Sequence, residues 1–218
     1  MSVYTFIVNE FATNCYIYKD NSSQSAIIID PGGETQQIVK FIKKNNFKIE
    51  KIVLTHCHYD HIKDLEKILD FFPVEVIVYE DELEQVIDNE KNLSLFLAGE
   101  ECILNPGSIN WKKIKDNDEF LCGSQKIKVI HTPGHTKGSI CLYIENECLF
   151  TGDTLFCGSI GRTDLPSGNI EQMELSIQKI FSSFPENLKF FPGHNNSCVL
   201  KKERLHNPFV KITGGQTL

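Results

Sequence analysis

Short apolar runs, each ended by turn residues, dominate the first third of the chain. Residues 26–29 form a continuous apolar run rich in β-branched side chains, which stops at the turn sequence Asp30-Pro31-Gly32-Gly33. This pattern is typical of a buried strand. By the same reasoning we predict strands at residues 3–8, 15–18, 26–29, 49–54 and 74–79.

Apolar residues at helical spacing separate several of these strands. They predict helices at residues 34–45 and 60–72. Residues 80–98 are predicted to form one or two acidic helices. The expected buried stripe of that segment consists of Leu83, Val86, Ile87, Leu93, Phe96 and Leu97.

Closely spaced strands fill much of the second half, as expected for a hairpin-rich sheet. We predict strands at residues 119–121, 126–131, 139–144, 147–151 and 189–191, with helices at 170–181 and 201–206. Two runs of strands with flanking helices favour two sheets packed face to face with helices outside. We therefore expect one α/β domain covering residues 1–218.

Composition narrows the class of protein. The chain has 218 residues, 41% of them hydrophobic, which is enough for one substantial core. Its formal net charge of −7 disfavours a nucleic-acid partner. No apolar run approaches the roughly 20 residues of a membrane span. The first residues lack a secretory signal, so we expect a cytoplasmic protein with no membrane partner. The oligomeric state stays open.

Eight cysteines are spread along the chain without a C-x-x-C pair. In a cytoplasmic protein the expectation is reduced thiols, most of them buried. Cys157 and Cys198 flank loops that carry candidate metal ligands, and we expect both to be buried and inert.

Three histidines and one aspartate follow directly after a predicted strand, at His56, His58, Asp60 and His61. Imidazole nitrogens and carboxylate oxygens are ligands for zinc, iron and manganese. Side chains two apart in an extended segment share a face, so His56 and His58 can bind one metal. Asp60 and His61 fall where a helix begins and can face a second metal. A His-rich surface stretch without metal is the weaker alternative.

Three further ligand-type residues stand at strand exits, each after a glycine: His135, Asp153 and His194. Glycine at this place lets the backbone turn tightly and approach a metal. The combined set suits two ions. His56, His58 and His135 would bind the first ion, and Asp60, His61 and His194 the second. Asp153 would bridge them, since a carboxylate has two oxygens. Open coordination positions would mark a catalytic site.

This motif set resembles the metallo-β-lactamase superfamily. The resemblance rests on the His-x-His-x-Asp-His pattern at residues 56–61, followed by Gly134-His135, Gly152-Asp153 and Gly193-His194. It implies a four-layer αββα sandwich with the metal centre at one edge of the two sheets.

Residues 151–166 and the Asn207-Pro208-Phe209 tail are similar to the glyoxalase II-like hydrolases. This resemblance implies a small-molecule thioester substrate such as S-D-lactoylglutathione. Glyoxalase II has a helical domain after its last histidine ligand that helps hold glutathione. Here 24 residues follow His194, so we expect a short single-domain relative without that domain.

The resemblance also implies roles for individual residues. Two divalent cations, first of all zinc, with iron or manganese also suitable, would provide a hydroxide for attack on the thioester. Asp60 is the predicted catalytic residue, orienting the hydroxide while ligating. Arg162 either contacts the carboxylate of the substrate or braces the loop that carries Asp153. Asp164 is expected to support the site as a partner of Arg162.

Other functions of this fold remain alternatives. Persulfide dioxygenases share it and bind one iron through positions matching His56, His135 and Asp153. A β-lactamase would use most of the same ligands but should be exported, and a nuclease would need a basic face. A metal-stabilised scaffold without activity would have its metals saturated by protein ligands.

Overall fold

The computed structural model of the chain describes residues 2–99, 101–102 and 104–213, and its main elements are two six-stranded sheets. The first sheet follows chain order and consists of β1 (Ser2–Val8), β2 (Thr13–Lys19), β3 (Ser25–Ile29), β4 (Lys48–Val53), β5 (Glu75–Tyr79) and β6 (Trp111–Ile114). The second sheet consists of β7 (Glu119–Cys122), β8 (Gln125–His131), β9 (Ile140–Ile144), β10 (Cys148–Gly152), β13 (Lys189–Pro192) and β14 (Cys198–Val199). Its spatial order is β14-β13-β10-β9-β8-β7, and the hairpin β11 (Leu155–Phe156) with β12 (Ser159–Ile160) stands apart.

Helices occupy the connections between strands. They are α1 (Thr35–Lys44), α2 (Tyr59–Ile62), α3 (Leu65–Phe71), α4 (Leu83–Val86), α5 (Ser94–Ala98), α6 (Ile170–Ser183), α7 (Leu200–His206) and α8 (Pro208–Thr213). Two 3₁₀ turns lie at Glu80–Glu82 and Pro106–Ser108. No helix among the residues described has the length and hydropathy needed to cross a bilayer.

Three apolar clusters divide the molecule into four layers. The central cluster joins the inner faces of the two sheets and includes Ile27 and Ile29 from β3 with Phe150 from β10. Ile28 points the other way, into a cluster with α1 and α3, because side chains alternate along a strand. The third cluster packs α6, α7 and α8 on the outer face of the second sheet. The predicted αββα arrangement is confirmed.

The strand directions determine where loops gather. β3, β4 and β5 are parallel neighbours in the first sheet, and β10 and β13 are parallel in the second. Parallel strands end at a common edge, so their exit loops meet there. The two sheets are tied together at this edge by hydrogen bonds from the Ile140 amide to the Thr55 carbonyl (2.9 Å) and from the Asn14 amide to the Gly193 carbonyl (2.7 Å).

Two predicted helices differ from the structure. The helix expected at residues 60–72 breaks into α2 and α3, because the Asp64 amide bonds to the Pro31 carbonyl instead of continuing the helical ladder. The segment 80–98 forms only short pieces, with Leu93 in a left-handed conformation at φ 65°. Its predicted buried stripe is therefore wrong in part, since Ile87 and Phe96 are exposed.

Candidate metal centre

The structure brings all seven predicted ligands together at the common edge of the two sheets. His56 and His58 follow β4, and Asp60 and His61 lie in α2. The other three follow β8, β10 and β13 in turn: His135, Asp153 and His194. Each of the seven except His194 is buried. Residues as far apart in the chain as His56 and His194 meet here because parallel strands end at the same edge of a sheet.

The first predicted group is compact. The ligand atoms of His56, His58 and His135 all lie within 4.8 Å of one another. The His58 ring centroid is 4.7 Å from that of His56 and 4.6 Å from that of His135, and the rings are nearly perpendicular. Three imidazole nitrogens facing one point suit a tetrahedral metal with one open position.

The second predicted group is equally close. Asp60 Oδ2 lies 3.4 Å from His61 Nε2 and 3.2 Å from His194 Nε2. The Thr13 hydroxyl donates a 2.6 Å hydrogen bond to the same carboxylate oxygen. Asp60 is therefore held in one orientation by β2 while it faces the two histidines.

Asp153 lies between the two groups. Its Oδ2 is 3.5 Å from His135 Nε2 and 3.4 Å from His194 Nε2, and its Oδ1 is 3.5 Å from His61 Nε2. His135 belongs to the first group and the other two histidines to the second. Asp153 thus lies beside histidines of both groups, and its bridging role stays a prediction.

Unpartnered buried atoms show that these side chains fit a metal. His56, His58, His61 and His135 each leave Nε2 buried without a hydrogen-bond partner, as does Oδ1 of Asp153. Buried polar atoms are rarely left unpaired in native proteins.

The opposite ring nitrogens explain which histidine atom is free. His135 Nδ1 is 2.8 Å from the Arg162 carbonyl, and His194 Nδ1 is 3.2 Å from the Phe11 carbonyl. A carbonyl only accepts, so Nδ1 carries a proton in both rings and Nε2 is the nitrogen directed at the centre. His61 Nδ1 bonds to Asp30 in the same manner, at 3.0 Å.

The charges in the cluster favour a cation. Burial lowers the pKa of His56, His58 and His135, which keeps them in the neutral form that ligates metal. Burial alone would raise the pKa of Asp60 and Asp153. The neighbouring histidines outweigh it and hold the pKa of Asp153 at about 2, with that of Asp60 also well below its usual value.

Two glycines permit this packing. A Cβ on Gly193 would overlap Asp153 Oδ1 and crowd His61, so only glycine fits beside the centre. Gly134 has φ 138° and faces the backbone of α6 at Met173, which also excludes a larger residue.

Two buried acids behind the ligands were not anticipated from the sequence. Asp30 accepts bonds from the Thr55 amide (2.7 Å) and hydroxyl (2.6 Å) as well as from His61. Its sequence context indicates only a turn residue, although its place after β3 puts it at the same sheet edge. Glu82 follows β5 within an acidic run, and nothing in its sequence context distinguishes it from its neighbours.

Glu82 ties the two loops of the first histidine group together. Its carboxylate accepts hydrogen bonds from the Cys57 amide (2.8 Å), the Gly138 amide (2.8 Å) and the Thr136 hydroxyl (2.6 Å). Cys57 lies between two ligands, and Thr136 follows a third. Glu82 is completely buried, and burial raises its pKa even though these donors oppose the shift.

Replacing Glu82 with alanine should destabilise the protein and loosen the first histidine group. Unpaired buried donors cost about 1–3 kcal/mol each, so we expect a loss of at least ~3 kcal/mol. For a chain of this size this corresponds to a melting temperature lower by about 6–12 °C. Metal affinity should fall about 10–100-fold, which is the usual loss when a residue that hydrogen-bonds to the metal-binding residues is removed. The exposed Glu84→Ala is the matched control, and an unchanged melting temperature in Glu82→Ala would refute the role.

A cavity of about 240 Å³ opens onto the centre. Its walls are apolar side chains, Phe11, Leu93, Phe96, Leu97, Phe156 and Leu165. Arg162 also lines it and forms a bidentate pair with Asp164, with both N–O distances 2.9 Å. The Arg162 carbonyl bonds to His135, whereas its side chain is paired with Asp164 at the cavity.

Comparison with known proteins agrees with this geometry. A sequence model of the metallo-beta-lactamase superfamily matches residues 8–194. The chain is 33% identical over 190 residues to the probable metallo-hydrolase YqgX of Bacillus subtilis, covering 87% of this chain and 89% of that protein. It is 31% identical over 219 residues to the hydroxyacylglutathione hydrolase GloC of Haemophilus influenzae, covering 96% and 98%.

Solved structures share the whole fold. The BLEG-1 B3 metallo-beta-lactamase superposes with a TM-score of 0.88 at 30% identity, covering 96% of this chain and 99% of that one. TTHA1623, solved in a di-iron-bound form, gives a TM-score of 0.82 at 25% identity, covering 94% and 99%. The family match spans most of the sequence and includes every residue of the cluster: the chain belongs to the metallo-beta-lactamase superfamily.

Proposed function

We propose that the protein is a binuclear metal-dependent hydrolase of thioesters, with S-D-lactoylglutathione as the first candidate substrate. The observation that carries the proposal is the convergence of seven ligand-type side chains, in which four histidines leave Nε2 without a partner and Asp153 lies between the two groups. The likeness to a hydroxyacylglutathione hydrolase supports the substrate class, and the likeness to a di-iron protein supports two metals. Zinc is the first candidate metal, with iron and manganese as alternatives.

The residues have distinct tasks in this reaction. The seven side chains of the cluster would hold two divalent cations, which would supply a hydroxide at neutral pH and polarise the acyl oxygen. Asp60 accepts a hydrogen bond from the attacking hydroxide and orients it toward the carbonyl carbon. Thr13 keeps the Asp60 carboxylate in place through its 2.6 Å hydrogen bond. Apolar walls exclude bulk water from the reacting atoms, which strengthens the electrostatic interactions inside.

The cavity lining supports a thioester over an amide or an ordinary ester. Among the described residues that line it, Arg162 is the one charged side chain outside the predicted ligands. Arginine stays protonated and is a poor proton donor. A thiol has a pKa of roughly 8.5, so a thiolate departs without receiving a proton, whereas an amine or alkoxide needs one.

Removing the Arg162 side chain tests its contact with substrate. We expect Arg162→Ala to raise KM for S-D-lactoylglutathione about tenfold, the effect of losing one charge-assisted hydrogen bond at an exposed position. A thioester without carboxylates should be unaffected, and metal content should not change, because the Arg162 carbonyl still bonds to His135. Arg204→Ala removes the other arginine as a control. Equal losses on both thioesters would assign Arg162 a purely structural role.

β-Lactam hydrolysis is a second candidate, favoured by the likeness to the BLEG-1 B3 metallo-beta-lactamase. Opening a β-lactam breaks an amide bond, and among the described residues outside the predicted ligands no proton donor for the nitrogen lines the cavity. We therefore expect thioester hydrolysis to exceed it.

A substrate comparison on the zinc-loaded protein tests the proposal. kcat/KM should be highest for S-D-lactoylglutathione or another small thioester, measured by thiol release, and at least about 100-fold lower for a penicillin and a cephalosporin. Hydrolysis of the β-lactams at equal or higher kcat/KM would overturn the thioester assignment.

A further inference from the structure

A second cluster of reactive side chains lies outside the metal centre. Cys157 occupies the turn between β11 and β12, and Cys198 is the first residue of β14. Their sulfur atoms and one carboxylate oxygen of Glu203 all lie within 4.8 Å of one another. None of the three belongs to the predicted ligands, and the proposed hydrolysis does not use them.

The two thiols have different surroundings. Cys157 is partly exposed, so the expectation that it is buried is wrong. It packs against the apolar cluster under α6, while the next residue of the turn, Gly158, is exposed. Cys198 is buried, as expected, with 8% of its surface exposed. Burial raises the pKa of Cys198 to about 12, and the neighbouring Glu203 adds to the shift. Cys157 is therefore the accessible thiol, and Cys198 is the shielded one beside it.

Glu203 is placed to accept a proton from Cys198. The Cys198 thiol donates to Glu203 Oε1 at 3.1 Å. Glu203 Oε2 accepts bonds from the Gly158 amide at 2.6 Å and the Asn207 side chain at 3.0 Å. All three partners donate to this one carboxylate. The same glutamate thus anchors the hairpin turn next to Cys157 and contacts the second thiol.

We propose that Cys157 and Cys198 form a reversible intramolecular disulfide when the protein meets a hydroperoxide. Cys157 is the thiol that the hydroperoxide oxidises, and Cys198 is the resolving thiol. Glu203 positions Cys198 and takes its proton.

The chemistry balances in two steps. Cys157 sulfur attacks the outer oxygen of the hydroperoxide, whose O–O bond breaks to give a sulfenic acid and an alcohol, or water from hydrogen peroxide. Cys157 loses two electrons, the peroxide gains them, and the thiol proton goes to the departing oxygen. Cys198 sulfur then attacks Cys157 sulfur, the S–O bond breaks, and the proton passes through Glu203 to the departing hydroxide, which leaves as water.

The two sulfur atoms lie within 4.8 Å of each other, so closing the bond requires a short movement. A disulfide needs its sulfur atoms about 2.05 Å apart, so one side must move toward the other. Open space lies beside the turn, since no atom is within 4 Å of a Cβ position at Gly158, and closing the bond requires the turn to shift against its Gly158–Glu203 hydrogen bond. Cys102 is the other partly exposed cysteine, and among the described residues it has no place in such a cluster.

Thiol counting and peptide mapping test the proposal on the zinc-loaded protein. After mild treatment with hydrogen peroxide, we expect the wild-type chain to lose two of its eight thiols and to regain them with dithiothreitol. Mapping without reductant should show Cys157 linked to Cys198 within one chain. Cys198→Ser should lose one thiol as a dimedone-reactive sulfenic acid, and Cys157→Ser should lose none.

Cys102→Ser is the matched control, and it should still lose two thiols and form the same link. Retention of all eight thiols in wild type, oxidation of Cys102 in preference to Cys157, or links only between chains would overturn the proposal. A metal content lower by one ion in Cys157→Ser would also overturn it, because the cluster would then be a thiolate metal site. None of these measurements depends on thioester hydrolysis.

Discussion

Replacing Asp60 with alanine is expected to reduce kcat for thioester hydrolysis about 10³-fold, within the range of ~10²–10⁴ that positioned proton-handling groups contribute. KM should change little. Asp60 faces the two histidines of its group, and Thr13 fixes the orientation of its carboxylate. In the proposed reaction this carboxylate orients the attacking hydroxide, so the substitution removes an interaction made in the transition state. Steady-state kinetics should be measured with metal added to saturation, so that the loss of kcat is not caused by loss of bound metal.

The exposed Asp70→Ala serves as a control for removing one carboxylate far from the centre. It should keep wild-type kcat and KM. An Asp60→Ala variant that turns over within about threefold of wild type would exclude the catalytic role of Asp60, whereas a variant with raised KM alone would make Asp60 a binding residue.

Asp153→Ala is expected to have the second large effect, on both metals at once. Its two oxygens face histidines of both groups, and Oδ1 has no other partner. Losing a partner outside the ligand set costs about 10–100-fold in metal affinity, so losing a bridging ligand should cost more than ~100-fold. Metal content after dialysis should fall well below that of wild type, and hydrolysis should fall with it.

Asp153→Asn separates charge from shape. The amide has nearly the same size, so the fold should be retained, but it lacks the charge that two cations require. We expect metal content near that of Asp153→Ala, with a melting temperature of the metal-free protein close to that of metal-free wild type. Full metal content in either variant would show that Asp153 does not bridge.

The ligand cluster was predictable from the sequence because each candidate follows an apolar strand into a turn. His56 and His135 are far apart in the chain, yet strand exits at one edge must meet once the two sheets pack. The four-layer fold was predictable for the same reason, since strand periodicity and flanking helices allow few arrangements.

Other features depend on tertiary contacts that leave no local pattern. Glu82 supports two ligand loops but lies in an acidic run that resembles a solvated surface. The strands β11, β12 and β14 have two residues each, too few to show alternation. The break between α2 and α3 comes from a bond between Asp64 and Pro31, which are distant in sequence.

Metal analysis on protein purified without added metal, run beside thiol release from S-D-lactoylglutathione, tests the central claim most directly. The account predicts about two metal ions per chain together with thiol release. One iron per chain, no thiol release, and oxygen consumption with glutathione persulfide would contradict it and identify a persulfide dioxygenase.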